Sequence, residues 1–219
     1  MFNSNTQAIV SGGSSGLGSG VVEAILKKDG QVVILDIKQP ESPNIVQALG
    51  KSAHFIETNI ADEASVNLAI EKASEFLSRC NLAVNCAGVL GPGRVLGKQG
   101  PMAGDDFSRV ININLVGAFL FTKAIANLMQ NNSPLDSERG VIVHTASIAG
   151  YEGQFGQAAY SASKAGVMGM ILPVAREFAK YGIRIMALAP GMFDTAMLQG
   201  ISEDALAELC AGVPFSKAP

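Results

Sequence analysis

Short apolar runs alternate with longer segments of helical periodicity along almost the whole of this 219-residue chain. The pattern predicts strands near 7–12, 32–36, 54–59, 82–86, 140–146 and 184–189, and helices near 16–28, 62–79, 104–131, 158–180 and 202–210. Parallel strands need crossover connections, and strands that are apolar without alternation are buried on both faces of their sheet. We therefore predict an α/β protein with a single domain, residues 1–219, built on one doubly wound parallel sheet with helices on both faces.

The first predicted strand, Gln7 to Val10, leads into the segment Ser11-Gly-Gly-Ser-Ser-Gly-Leu-Gly18, and a helical pattern follows. A strand, a glycine turn and a helix in this order bind the pyrophosphate of a dinucleotide, because the helix N-terminus offers amide hydrogens to the anion. Gly12 permits the tight turn, Gly16 lets the backbone approach the phosphate, and Gly18 allows close packing of the helix. The alternative is a flexible loop in a chain with 24 glycines. The predicted dinucleotide-binding residues of this turn are Gly12, Ser14, Ser15, Gly16, Leu17 and Gly18.

Asp36 ends the second predicted strand, directly after Val32-Val-Ile-Leu35. A carboxylate at this position accepts hydrogen bonds from the hydroxyls of an adenosine ribose and repels a 2′-phosphate. No arginine follows it, and Lys38 is the nearest cation. The alternative is a solvated carboxylate at a strand end. These residues favour NAD over NADP as the cofactor.

Tyr160 and Lys164 stand four residues apart in the predicted helix 158–180, so their side chains share one helix face. The pKa of a free tyrosine is about 10, and we expect the lysine ammonium to lower it by favouring the phenolate. Ser147 ends the apolar run that begins at Gly140. The alternative is a tyrosine and a lysine on an exposed amphipathic face. Combined with the glycine turn, the three residues predict a proton-transfer site at the carboxyl end of a strand, with Ser147 and Tyr160 contacting the substrate.

The glycine spacing is Gly-x-x-x-Gly-x-Gly rather than the more common Gly-x-Gly-x-x-Gly. Together with Asn85-Cys-Ala-Gly88 and Tyr160-x-x-x-Lys164, it resembles the short-chain dehydrogenase/reductase family, whose members have a Rossmann fold. The resemblance extends over essentially the whole chain. The segment 140–195 is similar to one branch of that family, the type 2 3-hydroxyacyl-CoA dehydrogenases, which includes 17β-hydroxysteroid dehydrogenases of type 10.

This resemblance implies further residues around the cofactor. Asn85 to Gly88 would lie beneath the nicotinamide ribose, where Cys86 contacts the cofactor through its backbone or is simply buried packing. Pro190 and Gly191 would flank the nicotinamide, and Thr195 would bond to its carboxamide. The cofactor-binding residues implied in this way are Asn85, Cys86, Ala87, Gly88, Tyr160, Lys164, Pro190, Gly191, Phe193 and Thr195.

Two asparagines carry separate expectations. Asn114 matches the family asparagine that holds a water beside the lysine, and we count it with the catalytic residues; the alternatives are a capping or core amide, and Asn112 competes for the role. Asn59-Ile60 follows the third predicted strand, where the family usually has Asp before an apolar residue. Asn59 and Ile60 are expected to contact the adenine, which an amide oxygen would bind slightly more weakly than a carboxylate.

The resemblance implies an NAD-dependent oxidoreductase that interconverts a secondary alcohol and a ketone. The substrate would be a 3-hydroxyacyl-CoA or a hydroxysteroid, with Tyr160 as the acid and base. One alternative is a 3-oxoacyl thioester reductase that uses NADPH, against which Asp36 argues. An alternative of another class is a dinucleotide-bound scaffold or redox sensor without turnover, against which the intact Ser147, Tyr160 and Lys164 argue.

Composition indicates which classes of binding partner to expect for this protein. Charged residues make up 16% of the chain, below the roughly 25% of an average protein, which favours an oligomer that buries part of the surface. The family resemblance implies that this oligomer is a homodimer or homotetramer. A net charge of −3 gives no support to nucleic-acid or membrane-surface binding, and no run reaches the ~18 apolar residues of a membrane span. Cys80, Cys86 and Cys210 lack metal spacing and read as reduced thiols of a cytoplasmic protein. His144 is expected to be a satisfied core histidine, and no metal site is expected.

The two ends of the chain carry expectations of their own. The first predicted strand begins within seven residues of Met1, so we expect no signal or transit peptide. Family chains usually continue past the Val213-Pro-Phe215 region with a helix and a seventh strand, whereas this sequence stops at Pro219. We expect the native protein to carry further residues that form this strand.

Overall fold

A computed structural model of the protein describes residues 2–98 and 100–193. Six parallel strands form the central sheet in the order β3-β2-β1-β4-β7-β8, and a two-residue antiparallel pair, β5 and β6, lies outside it. The doubly wound parallel sheet predicted from the sequence is confirmed. The strands are β1 (Gln7–Ser11), β2 (Gln31–Asp36), β3 (Ala53–Glu57), β4 (Leu82–Asn85), β5 (Leu96–Gly97), β6 (Gly100–Pro101), β7 (Gly140–Thr145) and β8 (Ile183–Leu188).

Helices cover both faces of the sheet, and the central strands β1, β2 and β4 are therefore buried on both faces, whereas the edge strands β3 and β8 have exposed residues. Ile9, Val33 and Ile142 pack into the core on the side of α3 and α5, while Val10, Val32 and Ile34 pack on the side of α1 and α2. This two-sided burial explains why the sequences of β1, β2 and β4 are almost continuously apolar. The helices are α1 (Gly16–Leu26), α2 (Pro43–Ala48), α3 (Glu63–Phe76), α4 (Gly104–Ile111), a π-helical segment (Asn112–Val116), α5 (Gly117–Met129), α6 (Ala149–Glu152), α7 (Ala158–Phe178) and a 3₁₀ turn (Ala179–Tyr181).

The strand order reverses between β1 and β4. From β1 the chain passes outward to β2 and β3, and it then returns to β4 on the other side of β1. A crevice opens at such a point beyond the carboxyl ends of the strands, and ligands bind there in doubly wound sheets. Ser11 of β1 is paired in register with Asn85 of β4, and Asn85 with His144 of β7, so these residues form one row across the sheet. Gly12, Cys86 and Thr145 come directly after that row.

The helix predicted over 104–131 is interrupted. Residues Asn112–Val116 form a single π-helical turn between α4 and α5, and the buried Asn114 lies within it. π-Helical turns inside α-helices are frequent at functional sites. The helix predicted over 202–210 lies outside the described residues.

Within the described residues, one helical stretch, Gly104–Met129, is long and apolar enough to cross a membrane by length and composition. More than half of its apolar window, 56%, is buried inside the protein. Leu120, Phe121 and Ile125 of α5 pack in the main core. The stretch therefore has the contacts of a core helix.

Candidate active site

The glycine turn lies against the loop that follows β4. Gly12 has a φ of +66° and donates its amide to Leu35 O at 2.8 Å. A Cβ atom at Gly12 would lie 2.5 Å from the Ala87 backbone nitrogen. The left-handed conformation and this close approach both require glycine at this position. The turns after β1 and β4 thus form one continuous surface at the strand-order reversal.

Helix α1 begins directly after this turn and packs on it through Gly18. A Cβ atom at Gly18 would lie 2.0 Å from Gly12 O. The N-cap residue Ser15 makes no side-chain capping bond, and the first turn of α1 has no acidic residue. Its amide groups and the positive end of its dipole are thus directed at the turn, and no acidic side chain of its own first turn competes for them. Ser14 lies in the turn, Gly16 is the first residue of α1, and Leu17 is half-buried in that helix.

Asp36 joins the end of β2 to the glycine turn. Its Oδ2 accepts a hydrogen bond from Ser14 N at 3.1 Å, and its Oδ1 accepts one from Ile37 N at 2.7 Å. Ser14 Oγ in turn donates to Lys38 O at 2.6 Å. The carboxylate is partly exposed at the same edge of the sheet as the turn, which is the position required for contact with a ribose.

Asn59 and Ile60 follow β3, which ends at Glu57 rather than extending to residue 59. Asn59 is exposed, and its Oδ1 accepts a hydrogen bond from Ala61 N at 3.1 Å. Ile60 is buried in the main core and packs beside Gly117 of α5. Contact of these two residues with an adenine stays a prediction.

Tyr160 lies in the first turn of α7 and is almost completely buried, with Ser147 beside it. Burial raises the pKa of the Tyr160 phenol, and a hydrogen bond to the Ser147 side chain acts in the opposite direction. The predicted lowering of this pKa by Lys164 is wrong for this structure: the pKa is raised, and burial and the bond to Ser147 determine it, not the charge of Lys164. Ser147 follows β7, and its Oγ accepts a hydrogen bond from Ala149 N at 3.1 Å.

The ammonium of Lys164 lies near the Tyr160 ring and is bound to the backbone of β7. Its Nζ donates to Thr145 O at 2.6 Å and lies 5.7 Å from the centre of the Tyr160 ring. Lys164 is 5% exposed, and burial lowers its pKa from 10.5 to about 8. A Cβ atom at Gly88 would lie 3.2 Å from Asn114 Oδ1 and 3.7 Å from Nζ, so glycine at this position permits the close approach of the loop after β4 to Asn114 and the ammonium.

Asn114 connects the loop after β4 to α7. Its Oδ1 accepts from Val89 N at 2.8 Å, and its Nδ2 donates to Val89 O at 2.9 Å and to Ser163 Oγ at 3.0 Å. Ser163 Oγ then donates to Tyr160 O at 2.7 Å. The side chain of Asn114 is therefore a core-bonded amide that fixes the two segments around the lysine, which is the alternative raised from the sequence. Sequence reasoning missed Ser163, although its place between Tyr160 and Lys164 pointed to it.

Asn85 is buried at the end of β4, and Cys86 is half-buried next to it. Cys86 Sγ lies 3.4 Å from Thr145 Oγ1, and burial raises the pKa of this thiol. Ala87 packs on the core, and Gly88 follows. Cys86, Ala87 and Gly88 thus line the crevice from the β4 side, between the glycine turn and Lys164, and Asn85 lies buried directly below them.

The segment after β8 approaches the site from the opposite side. Pro190 O accepts a hydrogen bond from Ile148 N at 3.1 Å, which places Pro190 and Gly191 beside Ser147. Phe193 is 36% exposed. Thr195 lies outside the described residues, so its contact with a carboxamide stays a prediction.

Comparisons with known proteins agree with this geometry. The model of the family "short chain dehydrogenase" matches residues 6–206. The chain belongs to the short-chain dehydrogenase family. It is 41% identical to 3-hydroxyacyl-CoA dehydrogenase type-2 of Drosophila melanogaster over 96% of this chain and 84% of that protein. It is 30% identical to the 3-oxoacyl-[acyl-carrier-protein] reductase FabG of Salmonella typhimurium over 96% of this chain and 82% of that protein.

A solved structure gives the same result. The crystal structure of 3-hydroxyacyl-CoA dehydrogenase type-2 from Mycobacterium avium superposes with a TM-score of 0.85 at 38% identity, covering 96% of this chain and 82% of that one. The family resemblance and the Rossmann-like fold are therefore confirmed, and the protein is an oxidoreductase that uses a nicotinamide dinucleotide. The residues fit that cofactor, because the glycine turn, the uncapped α1 and the Gly88 backbone beside Lys164 follow one another along the crevice.

Among residues 2–98 and 100–193, no three His, Cys, Asp or Glu side chains lie close enough together to hold a metal ion.

Proposed function

We propose that the protein oxidises a 3-hydroxyacyl-CoA to the 3-oxoacyl-CoA with NAD, giving NADH and a proton. The observation that carries this proposal is the combination of two features. Ser147, Tyr160 and Lys164 surround one crevice, and the likeness to the type-2 dehydrogenases extends over nearly the whole chain. A hydroxysteroid presents the same secondary alcohol and is the second substrate class to test.

Tyr160 is the group that moves the substrate proton. In its deprotonated form the phenolic oxygen takes the hydroxyl proton of the alcohol, and the Ser147 hydroxyl donates a hydrogen bond to the same substrate oxygen. The bound nicotinamide supplies the hydride acceptor. Lys164 would bind the ribose hydroxyls of the cofactor beside Gly88. In the reverse direction Tyr160 returns the proton as an acid.

NAD is the preferred cofactor in this proposal because of Asp36. Its carboxylate faces the crevice beside Ser14, where a 2′-phosphate would meet a negative charge. We expect kcat/KM with NAD to exceed that with NADP by about tenfold or more, which corresponds to about 1.4 kcal/mol. The variant Asp36→Asn removes the charge and keeps an acceptor for Ser14 N, so it should narrow the preference mainly by improving NADP binding. Equal rates of the wild type with both cofactors at low concentration would contradict this.

The runner-up is a 3-oxoacyl thioester reductase that runs on NADPH. The 30% identity to FabG supports it, whereas the 41% identity to a type-2 dehydrogenase and the carboxylate of Asp36 support the dehydrogenase. Initial rates with NAD for 3-hydroxybutyryl-CoA, longer 3-hydroxyacyl-CoAs and a hydroxysteroid test the leading proposal. A preference for NADPH with a 3-oxoacyl-carrier-protein substrate would favour the runner-up.

The protein is proposed to act in fatty-acid metabolism in the cytoplasm, as a homodimer or homotetramer. Four apolar side chains on neighbouring helices support an oligomer, because each is more than a third exposed: Phe107 of α4, Val116 of the π-helical segment, Phe119 of α5 and Leu172 of α7. Light scattering at micromolar concentration should detect a dimer or tetramer. Phe119→Asp should dissociate it, whereas Leu68→Asp on α3 should not, and a monomeric wild type would overturn the proposal.

A further inference from the structure

Five groups form a continuous chain of buried hydrogen bonds across the sheet, one row below the crevice. Ser11 Oγ lies 2.5 Å from Asn85 Oδ1, and Asn85 Nδ2 lies 3.1 Å from His144 Nδ1. His144 Nε2 lies 2.8 Å from Thr122 Oγ1, which lies 2.7 Å from Ala118 O. Ser11, Asn85, His144 and Thr122 are each at most 5% exposed. The chain therefore connects β1, β4, β7 and α5 without water access.

The direction of every hydrogen bond in this chain follows from its last member. Ala118 O is a backbone carbonyl and only accepts, so the single hydroxyl hydrogen of Thr122 is directed at it. His144 must then donate from Nε2 to Thr122, which leaves Nδ1 as an acceptor for Asn85 Nδ2. Asn85 Oδ1 is consequently free to accept from Ser11. A neutral imidazole is required throughout, and burial provides one, because it lowers the pKa of His144 to about 4, with the charge of Lys164 acting in the same direction.

This chain of hydrogen bonds fixes the carboxyl ends of β1 and β4, and the predicted cofactor-binding residues follow directly after both strands. Gly12 follows Ser11, and Cys86 and Ala87 follow Asn85. These segments are in contact, since a Cβ atom at Gly12 would lie 2.5 Å from Ala87 N. A change in the orientation of the Asn85 amide therefore acts on both walls of the crevice at once.

We propose that His144 is a positioning residue for the dinucleotide, which acts through its Nδ1 on Asn85 and thereby fixes the glycine turn and the Asn85–Gly88 segment against each other. His144 itself lies below the crevice and touches neither cofactor nor substrate. The proposal rests on the assignment of NAD as the cofactor. Titration of the wild type with NAD and NADP checks that assignment separately, and the tighter binder is then used for all variants.

Substitutions of His144 separate its two nitrogen atoms. Asn places an amide oxygen near the position of Nδ1 and retains the acceptor for Asn85, but it does not reach Thr122. Gln places its amide near the position of Nε2 and retains the bond to Thr122, but offers nothing at Nδ1. Leu retains neither. If His144 had only a structural role, the NAD affinity of the variants would follow their melting temperatures. If His144 is a positioning residue, NAD affinity depends on whether the variant keeps an acceptor near the position of Nδ1.

The experiment is isothermal titration of each variant with NAD, together with steady-state kinetics and thermal unfolding. We expect His144→Asn to bind NAD as the wild type does. We expect His144→Gln and His144→Leu to bind it about three- to tenfold more weakly, the range of one net hydrogen bond. The KM for NAD should rise by the same factor, while the KM for the alcohol stays unchanged. His54→Asn, at the other of the two histidines in the chain, is the matched control and should leave NAD binding unchanged.

Thr122→Val provides a second test if a variant of His144 does not fold. It removes the hydroxyl that accepts a hydrogen bond from His144 Nε2 and thereby keeps the imidazole proton on that nitrogen. Thr122 lies on α5, farther from the crevice than His144. Weaker NAD binding by at least roughly twofold would support the proposal, since one weakened hydrogen bond has about this effect. Equal NAD affinity of His144→Asn, His144→Gln and His144→Leu would overturn it. A rank order that follows the melting temperatures alone would overturn it as well.

Discussion

At the scale of single residues, burial sets the protonation of the catalytic pair. It raises the pKa of Tyr160 and lowers that of Lys164 to about 8, so both groups favour their neutral forms more than they do in water. At neutral pH the phenol keeps its proton and is ready to act as an acid. Oxidation of an alcohol needs the phenolate, and its rate should therefore rise with pH.

Tyr160→Phe tests the proton transfer directly. It removes the only group proposed to move the proton, so kcat should fall by at least the 10²–10⁴-fold range typical of general acid–base catalysis. The fold and NAD binding should persist, because the ring that fills the buried space is retained. Tyr151→Phe is the matched control, since Tyr151 is 78% exposed and has no assigned role. Near-normal turnover of Tyr160→Phe would show that the site is assigned to the wrong residue.

Lys164→Met tests the cost of the buried ammonium. The pKa of Lys164 lies below its unfolded value of 10.5, so the charge destabilises the fold below about pH 8, and this effect disappears as pH rises toward 10.5. The shift corresponds to about 3 kcal/mol at neutral pH, against which the lost bond to Thr145 O must be set. We expect turnover and NAD affinity to fall while the melting temperature stays constant or rises. A drop of several degrees, with Lys72→Met unchanged, would contradict this.

At the scale of elements, two glycines of α1 offer a matched comparison. A Cβ atom at Gly18 would lie 2.0 Å from Gly12 O, whereas one at Gly20 would meet no atom within 4 Å. Gly18→Ala must therefore displace the turn, and we expect it to lower the melting temperature and abolish NAD binding. Gly20→Ala should stabilise the protein by about 0.5–1 kcal/mol, the usual gain for alanine over glycine in a helix. Thermal unfolding and NAD titration of both variants measure the contrast.

The sequence predicted the six long strands to within two residues at each end, because each contains several apolar residues in a short segment bounded by polar or glycine residues. It did not predict α2, which has six residues and buries only Ile45, too little for a helical period to appear. It also treated 104–131 as one helix. The π-helical turn at Asn112–Val116 depends on the contacts of Asn114 with Val89 and Ser163, which lie far apart in the sequence.

The residues of the candidate site also differ in whether local sequence or long-range contacts determine them. Ser147, Tyr160, Lys164 and the glycine turn could be named from local spacing, since each motif is contiguous. The pairing of Ser11, Asn85 and His144 could not be predicted from local spacing. It depends on the register between three strands that lie far apart in the sequence. The predicted direction of the Tyr160 pKa shift was wrong for a related reason. Burial, which raises this pKa, depends on the whole fold, whereas i,i+4 spacing shows only that two side chains are close together.

At the scale of the whole molecule, charge pairs contribute little to stability. Residues 2–98 and 100–193 contain two ion pairs, Lys123–Glu63 and Arg184–Glu138, and the side chains of both are more than 40% exposed. Exposed pairs contribute roughly 0–1 kcal/mol each. The stability of the fold therefore rests on its two-sided apolar core, and part of its pH dependence on buried titratable groups such as His144.

Acidification should expose the contribution of His144. Its pKa in the folded protein is about 4, below the unfolded value of 6.5, so the unfolded chain binds the proton first as pH falls. Stability from this group is complete above about pH 6.5 and is lost progressively down to about pH 4. The loss is about 3 kcal/mol relative to a variant without the imidazole. Protonation of Nδ1 also removes the acceptor for Asn85, so the cost falls on the row that joins β1, β4 and β7.

The measurement is urea unfolding of the wild type and His144→Asn at several pH values between 4 and 7. Taking the difference between the two proteins cancels the titration of all other groups, provided that Lys164 keeps its surroundings. The free energy of unfolding of the wild type should fall relative to the variant by about 3 kcal/mol across this range. A constant difference from pH 7 to pH 4 would mean that the imidazole is protonated in the folded protein as readily as in the unfolded chain, and the directed chain of hydrogen bonds through it would then be wrong.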